Sequence, residues 1–101
     1  MKYGLTPEQF QVLDTLVIQP LKQQGAEVFI FGSRVTEMHH THSDVDILFR
    51  KNEFGAADKI KLTAIKEAIE ESNFPFTVDL VEENDLAVSY RENIISTMKM
   101  L

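Results

Sequence analysis

Val28-Phe29-Ile30-Phe31-Gly32-Ser33, followed beyond a polar stretch by Asp44-Val45-Asp46-Ile47-Leu48-Phe49, is the part of the chain whose reading decides the fold. Its first half is a short apolar run rich in branched and aromatic side chains, the pattern of a buried strand, and it stops at a glycine. Polar residues fill 33–43, and a second run of the same apolar character covers 45–49. Two buried strands joined by a polar connection place a sheet at the centre of the protein.

Reading outward from these strands adds helices on both sides. Downstream, residues 56–72 carry Ile60, Ile65, Ala68 and Ile69 on one helical face, and Asn73 and Pro75 mark the helix end. Residues 76–81 form a third strand, with Val78 and Leu80 to one side and Thr77 and Asp79 to the other. Residues 85–98 read as a closing helix, with Ser89 and Glu92 spaced as a capping box and Tyr90, Ile94, Ile95 and Met98 as its apolar stripe. Upstream, Thr6 caps a helix that has Pro7 in its first position and Gln9 closing a capping box, with Phe10, Leu13, Leu16 and Val17 at helical spacing. Pro20 is expected to kink or end that helix, and Gly25 supplies a left-handed stop if a last turn carries past it. The expected class is α/β (α+β), a small mixed sheet flanked by helices, with residues 1–101 forming one domain.

Composition removes several classes of function. A chain of 101 residues is sized for a single hydrophobic core, and 44% apolar content is enough to build one. The absence of cysteine excludes a disulfide scaffold, a Cys-ligated zinc module, an iron–sulfur site and a thiol nucleophile. Sixteen acidic side chains against ten Lys and Arg give a net charge of −6, which argues against broad nucleic-acid binding and leaves acid to hold divalent metal. The longest apolar run, 28–32, is far shorter than the roughly 20 residues of a membrane span. Residues 1–6 lack the apolar stretch of an export signal, so the expected location is cytoplasmic.

Three features fall at strand ends: Gly32-Ser33, Asp44-Val45-Asp46 and Asp79. Side chains two apart on a strand face the same way, so Asp44 and Asp46 point to one spot and are separated by roughly 6–7 Å of backbone. Such a pair suits Mg²⁺, which takes oxygen ligands and keeps part of its shell for water and substrate phosphates. Asp79, between Val78 and Leu80, is a carboxylate in apolar surroundings that has to be paired or metal-bound. If the third strand lies beside the second, Asp79 completes a cluster of three that can hold a second ion and accept a proton from an attacking hydroxyl. Glycine lets the backbone approach closely, the Ser33 hydroxyl and neighbouring N–H groups can bind phosphate oxygens, and Arg34 offers a fork of donors to a phosphate. Taken singly, each feature has an ordinary explanation: a turn, a solvated strand end, or a carboxylate paired with Arg or Lys. Their order along the chain points jointly to phosphoryl chemistry.

The same residues resemble the minimal nucleotidyltransferases of the DNA polymerase β superfamily. Phe31-Gly32-Ser33-Arg34 with Ser43-Asp44-Val45-Asp46-Ile47-Leu48 is similar to the family's Gly-Ser and Asp-x-Asp motifs at the family's separation. Val78-Asp79-Leu80-Val81 looks like its third carboxylate strand. Pro75-Phe76-Thr77-Val78-Asp79 and Tyr90-Arg91-Glu92-Asn93-Ile94 extend the resemblance to the third strand and C-terminal helix, over nearly the whole chain. The resemblance implies the polymerase β-like fold and transfer of a nucleoside monophosphate, AMP from ATP, to an acceptor hydroxyl with release of pyrophosphate. It implies two Mg²⁺ ions on Asp44, Asp46 and Asp79, with Asp79 as base, and a triphosphate held by Gly32 and Ser33.

Small members of this family act beside an all-helical protein of the HEPN type, as antitoxin or catalytic subunit, so the resemblance also implies such a partner and protein adenylylation. A different expectation, a binding antitoxin that neutralises its partner by contact without catalysis, follows from one departure. Glu37 stands where many relatives have glycine and sets a negative charge near the phosphates. His39, His40 and His42 in the same loop are compatible with restored positive charge at mildly acid pH, with a transition-metal site, or with a solvated polar loop. Glu70-Glu71, Glu82-Glu83 and Arg50-Lys51 read as solvated or solubilising edges. The motifs encode neither the acceptor nor the base preference.

Overall fold

Thr6 starts the first helix as its sequence predicts. Its hydroxyl accepts the Gln9 N–H at 3.1 Å, and the Gln9 side chain accepts the Thr6 N–H at 2.9 Å, closing a capping box on α1 (Pro7–Leu13). The computed structural model describes residues 3–36, 43–51 and 62–101. The helix does not end at Pro20. It widens into a π turn (Asp14–Ile18), where the Gln19 N–H reaches the Asp14 carbonyl, and resumes as α2 (Gln19–Gln23) with Pro20 in its first turn. The wider turn shifts the hydrogen-bond ladder just ahead of a residue that has no N–H to donate, so the helix accommodates the proline. Gly25, with φ +84°, then provides the left-handed stop.

Four strands follow: β1 (Ala26–Phe31), β2 (Val45–Lys51), β3 (Val78–Glu82) and β4 (Lys99–Met100), in the order β3-β2-β1-β4. β1 runs antiparallel to β2 and β4, while β2 and β3 are parallel, so the sheet is mixed. A parallel pair needs a crossover, and α4 (Leu62–Glu71) lies on it. Val28, Ile30, Val45, Ile47 and Phe49 form one core with Leu13, Val17, Ile18 and Leu21 and with Ile65 and Ile69 of α4. Each such side chain contributes about 1.5–3 kcal/mol by leaving water. Strand residues alternate between faces, so Asp46, between Val45 and Ile47, lies on the face turned away from these helices.

Several expectations are corrected. Strands β1 and β2 are longer than the apolar runs, because Ala26, Glu27, Arg50 and Lys51 extend the antiparallel ladder in register. The closing helix, α5 (Val88–Thr97), is capped by Ala87 without a side-chain hydrogen bond, so Ser89 lies inside it and forms no capping box with Glu92. None of its residues is buried, and Tyr90 is 65% exposed, so the expected stripe is not a core face. Strand β4 has only two residues, too few for alternation to mark it in the sequence; the Leu101 N–H extends it by bonding the Val28 carbonyl at 2.9 Å. Arg50 pairs with Glu83, and Lys51 lies 3.6 Å from Glu82, so these charges join the far ends of β2 and β3 instead of standing alone in solvent. Ile60 lies outside the described residues. No helix among the described residues is long and apolar enough to cross a membrane.

Candidate active site

The antiparallel β1–β2 pair brings the end of one strand to the start of the other, with Phe31 opposite Asp46. Gly32 follows Phe31 with φ +83°, a conformation that side-chain-bearing residues rarely adopt. A β carbon there would collide with Oδ2 of Asp46 and sit 3.3 Å from its Cγ. Glycine is therefore required by the turn, and any β carbon there would also force the Asp46 carboxylate to move. Beyond it, α3 (Ser33–Thr36) is one helical turn, in which the Val35 and Thr36 N–H groups bond the Gly32 carbonyl at 3.1 and 3.2 Å. Ser33 opens this turn and is half-buried.

Parallel pairing of β2 and β3 places Asp46 opposite Asp79, so the two carboxyl groups share a face. The Val45 N–H bonds the Thr77 carbonyl at 2.8 Å and ties the starts of the two strands together. Burial pushes the Asp46 carboxyl up to about 6; the charges of Asp79 and Asp44 and a hydrogen bond to the Asp79 side chain act in the same direction, and Arg34 opposes them. Asp44 lies just before β2 and is exposed. Asp79 is exposed too, contrary to the apolar surroundings expected for it, because β3 is an edge strand whose aspartate face lies opposite the helical layer.

Arg34 departs furthest from expectation. It does not extend beside Ser33 toward a ligand but is buried at 2% exposure. Its Nη1 donates to the Tyr3 carbonyl at 2.8 Å, and its Nη2 and Nε donate to the Ser43 carbonyl at 2.7 and 3.2 Å. The guanidinium lies 4.4 Å from the centre of the Phe76 ring. Burial lowers its pKa from the ordinary arginine value, while Asp44 and Asp46 pull the other way. Phosphate contact at this position would require the side chain to leave its three carbonyl bonds. That Tyr3, Ser43 and Phe76 would surround Arg34 has no sequence signal, since two of them contribute a main-chain carbonyl and the third a ring of ordinary core type. Glu37, His39, His40 and His42 lie outside the described residues.

Among the described residues, no group of three or more His, Asp or Glu side chains converges as a ready metal cluster. The acidic site is instead a register pair, Asp46 and Asp79, with Asp44 close enough to act on Asp46 electrostatically. The donor set fits a hard divalent cation by its chemistry. It offers only oxygen, it opens to solvent at Asp44 and Asp79, and it holds like charges together that a cation relieves.

The family model for Polymerase beta, Nucleotidyltransferase matches residues 18–101, a span that contains the glycine turn and all three aspartates. The chain belongs to this nucleotidyltransferase family. No curated protein matches it. The crystal structure of a toxin–antitoxin with AMP-PNP is similar in fold, with a TM-score of 0.62 at 20% identity over 86% of this chain and 70% of that one. A protein from Sulfolobus solfataricus assigned as a nucleotidyltransferase aligns over 92% of this chain and 78% of that one, at 14% identity and a TM-score of 0.48. The fold comparison rests on the first.

Proposed function

We propose that the protein transfers a nucleoside monophosphate, AMP from ATP, to an acceptor hydroxyl in a Mg²⁺-dependent reaction. The observation that carries this reading is the packing of the Gly32 turn against Asp46, whose register partner is Asp79. It sets a glycine-serine turn suited to phosphate oxygens beside a carboxyl pair suited to cations, at the end of β1 and the starts of β2 and β3. Asp44, Asp46 and Asp79 would hold the metal, two ions in the full complement. Bound there, the ions would neutralise charge on the triphosphate and on the attacking and leaving oxygens.

In the proposed step the acceptor oxygen forms a bond to the α-phosphorus while the bond from that phosphorus to the oxygen bridging the β-phosphate breaks. Pyrophosphate leaves, and the acceptor proton passes to a carboxylate oxygen of Asp79. Gly32 and Ser33 hold the triphosphate through the main chain and the Ser33 hydroxyl. Calorimetry with ATP and Mg²⁺ tests this directly, comparing wild type with the Asp44→Ala, Asp46→Ala double variant. Indistinguishable binding in the two proteins rejects the assignment.

A second part of the proposal concerns the acceptor. The fold-level similarity to a toxin–antitoxin supports a reading in which the chain acts with a helical protein of the HEPN type, as antitoxin or catalytic subunit, and adenylylates it. Incubation with ATP and the candidate partner, read by mass spectrometry, should show one added nucleotide on the partner. Protection by the aspartate variant without any added nucleotide would favour neutralisation by contact.

A further inference from the structure

Three separate segments meet at the Arg34 side chain. The residue follows Gly32-Ser33 within the turn α3. Two of its bonds go to the carbonyl of Ser43, the residue immediately before Asp44-Val45-Asp46. Its guanidinium face lies 4.4 Å from the centre of the Phe76 ring, in the segment that leads into β3 and Asp79. A third bond, to the Tyr3 carbonyl, anchors the group to the N-terminal segment. These bonds go to main-chain carbonyls, and the residue is 2% exposed. A planar group with donors along its edges and a stacked face fixes direction as well as distance, which a lysine ammonium at the same place does not.

We propose that Arg34 is a positioning residue for metal binding: by clamping the Ser43 carbonyl and the Phe76 ring from the Gly32–Ser33 turn, it fixes the strand starts that carry Asp46 and Asp79 relative to one another. This rests on the reaction proposed above only in assuming that the carboxyl pair takes a metal. The positive charge of Arg34 gives the inference a discriminating sign. Removing a cation from beside two carboxylates, with their placement unchanged, strengthens binding of another cation. Loss of placement weakens it.

The test uses Arg34→Lys and Arg34→Gln in the full chain, with folding verified by thermal unfolding. Mn²⁺ affinity is measured by electron paramagnetic resonance without nucleotide, and amide signals by ¹H–¹⁵N spectroscopy. Positioning predicts about tenfold or greater weakening of Mn²⁺ binding in the folded Gln variant, with partial recovery in the Lys variant. It also predicts amide shifts concentrated at residues 43–46 and 77–79, with Phe29 and Met100 across the sheet little changed. Mn²⁺ affinity equal to or tighter than wild type in the Gln variant overturns the proposal, because Arg34 then acts by charge or stability alone. If the Gln variant does not fold, the Lys variant decides by the same two readouts. If wild type binds Mn²⁺ but not ATP, the proposed reaction fails while the clamp is still decided by the two readouts; if wild type binds no Mn²⁺, the clamp is overturned as well.

Discussion

Asp46 and Asp79 are partners in the parallel register of β2 and β3, and the charge of Asp79 adds to burial in raising the Asp46 carboxyl above its ordinary range. Neighbouring strands lie only about 4.8 Å apart, so two carboxyl groups on one face of such a pair cannot both ionise without cost. The protein holds this cost at the strand starts, where the glycine turn also ends, and not at the other end of β2, where Arg50 and Lys51 balance Glu83 and Glu82.

The first prediction concerns pH. Asp46 has its carboxyl pKa raised from 3.8 to about 6 in the folded protein. A carboxyl that binds its proton more tightly when folded favours the native state at low pH, and that contribution is lost as pH rises through the folded-state value. Asp46→Asn should therefore raise the unfolding temperature relative to wild type at about pH 7.5 in metal-free buffer, with the difference shrinking toward about pH 4. Thermal melts of the two proteins across this range check it. An equal difference at both ends would show that the aspartate charge is not the source.

The second prediction concerns Mg²⁺. A cation that binds the folded state alone adds about 2.7 kcal/mol of stability at roughly a hundred times its Kd. Wild type should gain stability from Mg²⁺ at about pH 7.5, whereas protons compete for the same oxygens and the gain should fade near about pH 5. Asp79→Asn should largely abolish the Mg²⁺ effect while leaving the metal-free fold intact, since Asp79 is exposed. Melts with and without Mg²⁺, at both pH values, read all of this.

The third prediction contrasts two helices. Ile69 of α4 is 4% exposed and belongs to the central core, so Ile69→Ala should cost about 2–5 kcal/mol in denaturant unfolding. Tyr90 of α5 is 65% exposed, and Tyr90→Ala should stay within about 0.5 kcal/mol of wild type. A loss at Tyr90 as large as that at Ile69 would mean that α5 is packed in solution.

This contrast also marks what the chain makes legible. Ile65 and Ile69 lie one helical turn apart and read correctly as core, and the Thr6–Gln9 box is local enough to recognise directly. The Gly32, Asp46 and Asp79 set was legible because glycine and alternating aspartates mark strand ends. In α5 the apolar residues Tyr90, Ile94 and Ile95 suggested a stripe, yet sequence periodicity does not show whether another element comes to cover it. The carbonyl bonds of Arg34 are not legible in the sequence for a related reason. A guanidinium suits a phosphate and a main-chain carbonyl equally well, and the choice is made by where Tyr3 and Ser43 arrive from distant parts of the chain.

The last prediction isolates the glycine turn. Gly32→Ala has two separate consequences: alanine at φ +83° is strained, and its β carbon meets the Asp46 carboxylate. The first costs at least about 1 kcal/mol wherever a left-handed glycine is replaced, and it does not depend on Asp46. The second disappears if Asp46 is shortened. Gly32→Ala should therefore destabilise wild type more than it destabilises Asp46→Ala, by a coupling of about 0.5–3 kcal/mol, the range for residues in contact. Denaturant unfolding of the four proteins in metal-free buffer measures this coupling, and the absence of metal keeps lost ligand binding out of the difference. Equal losses in the two backgrounds would mean that the carboxylate swings away at no cost, and that the Asp46 position is set by its strand partner Asp79 and not by the turn.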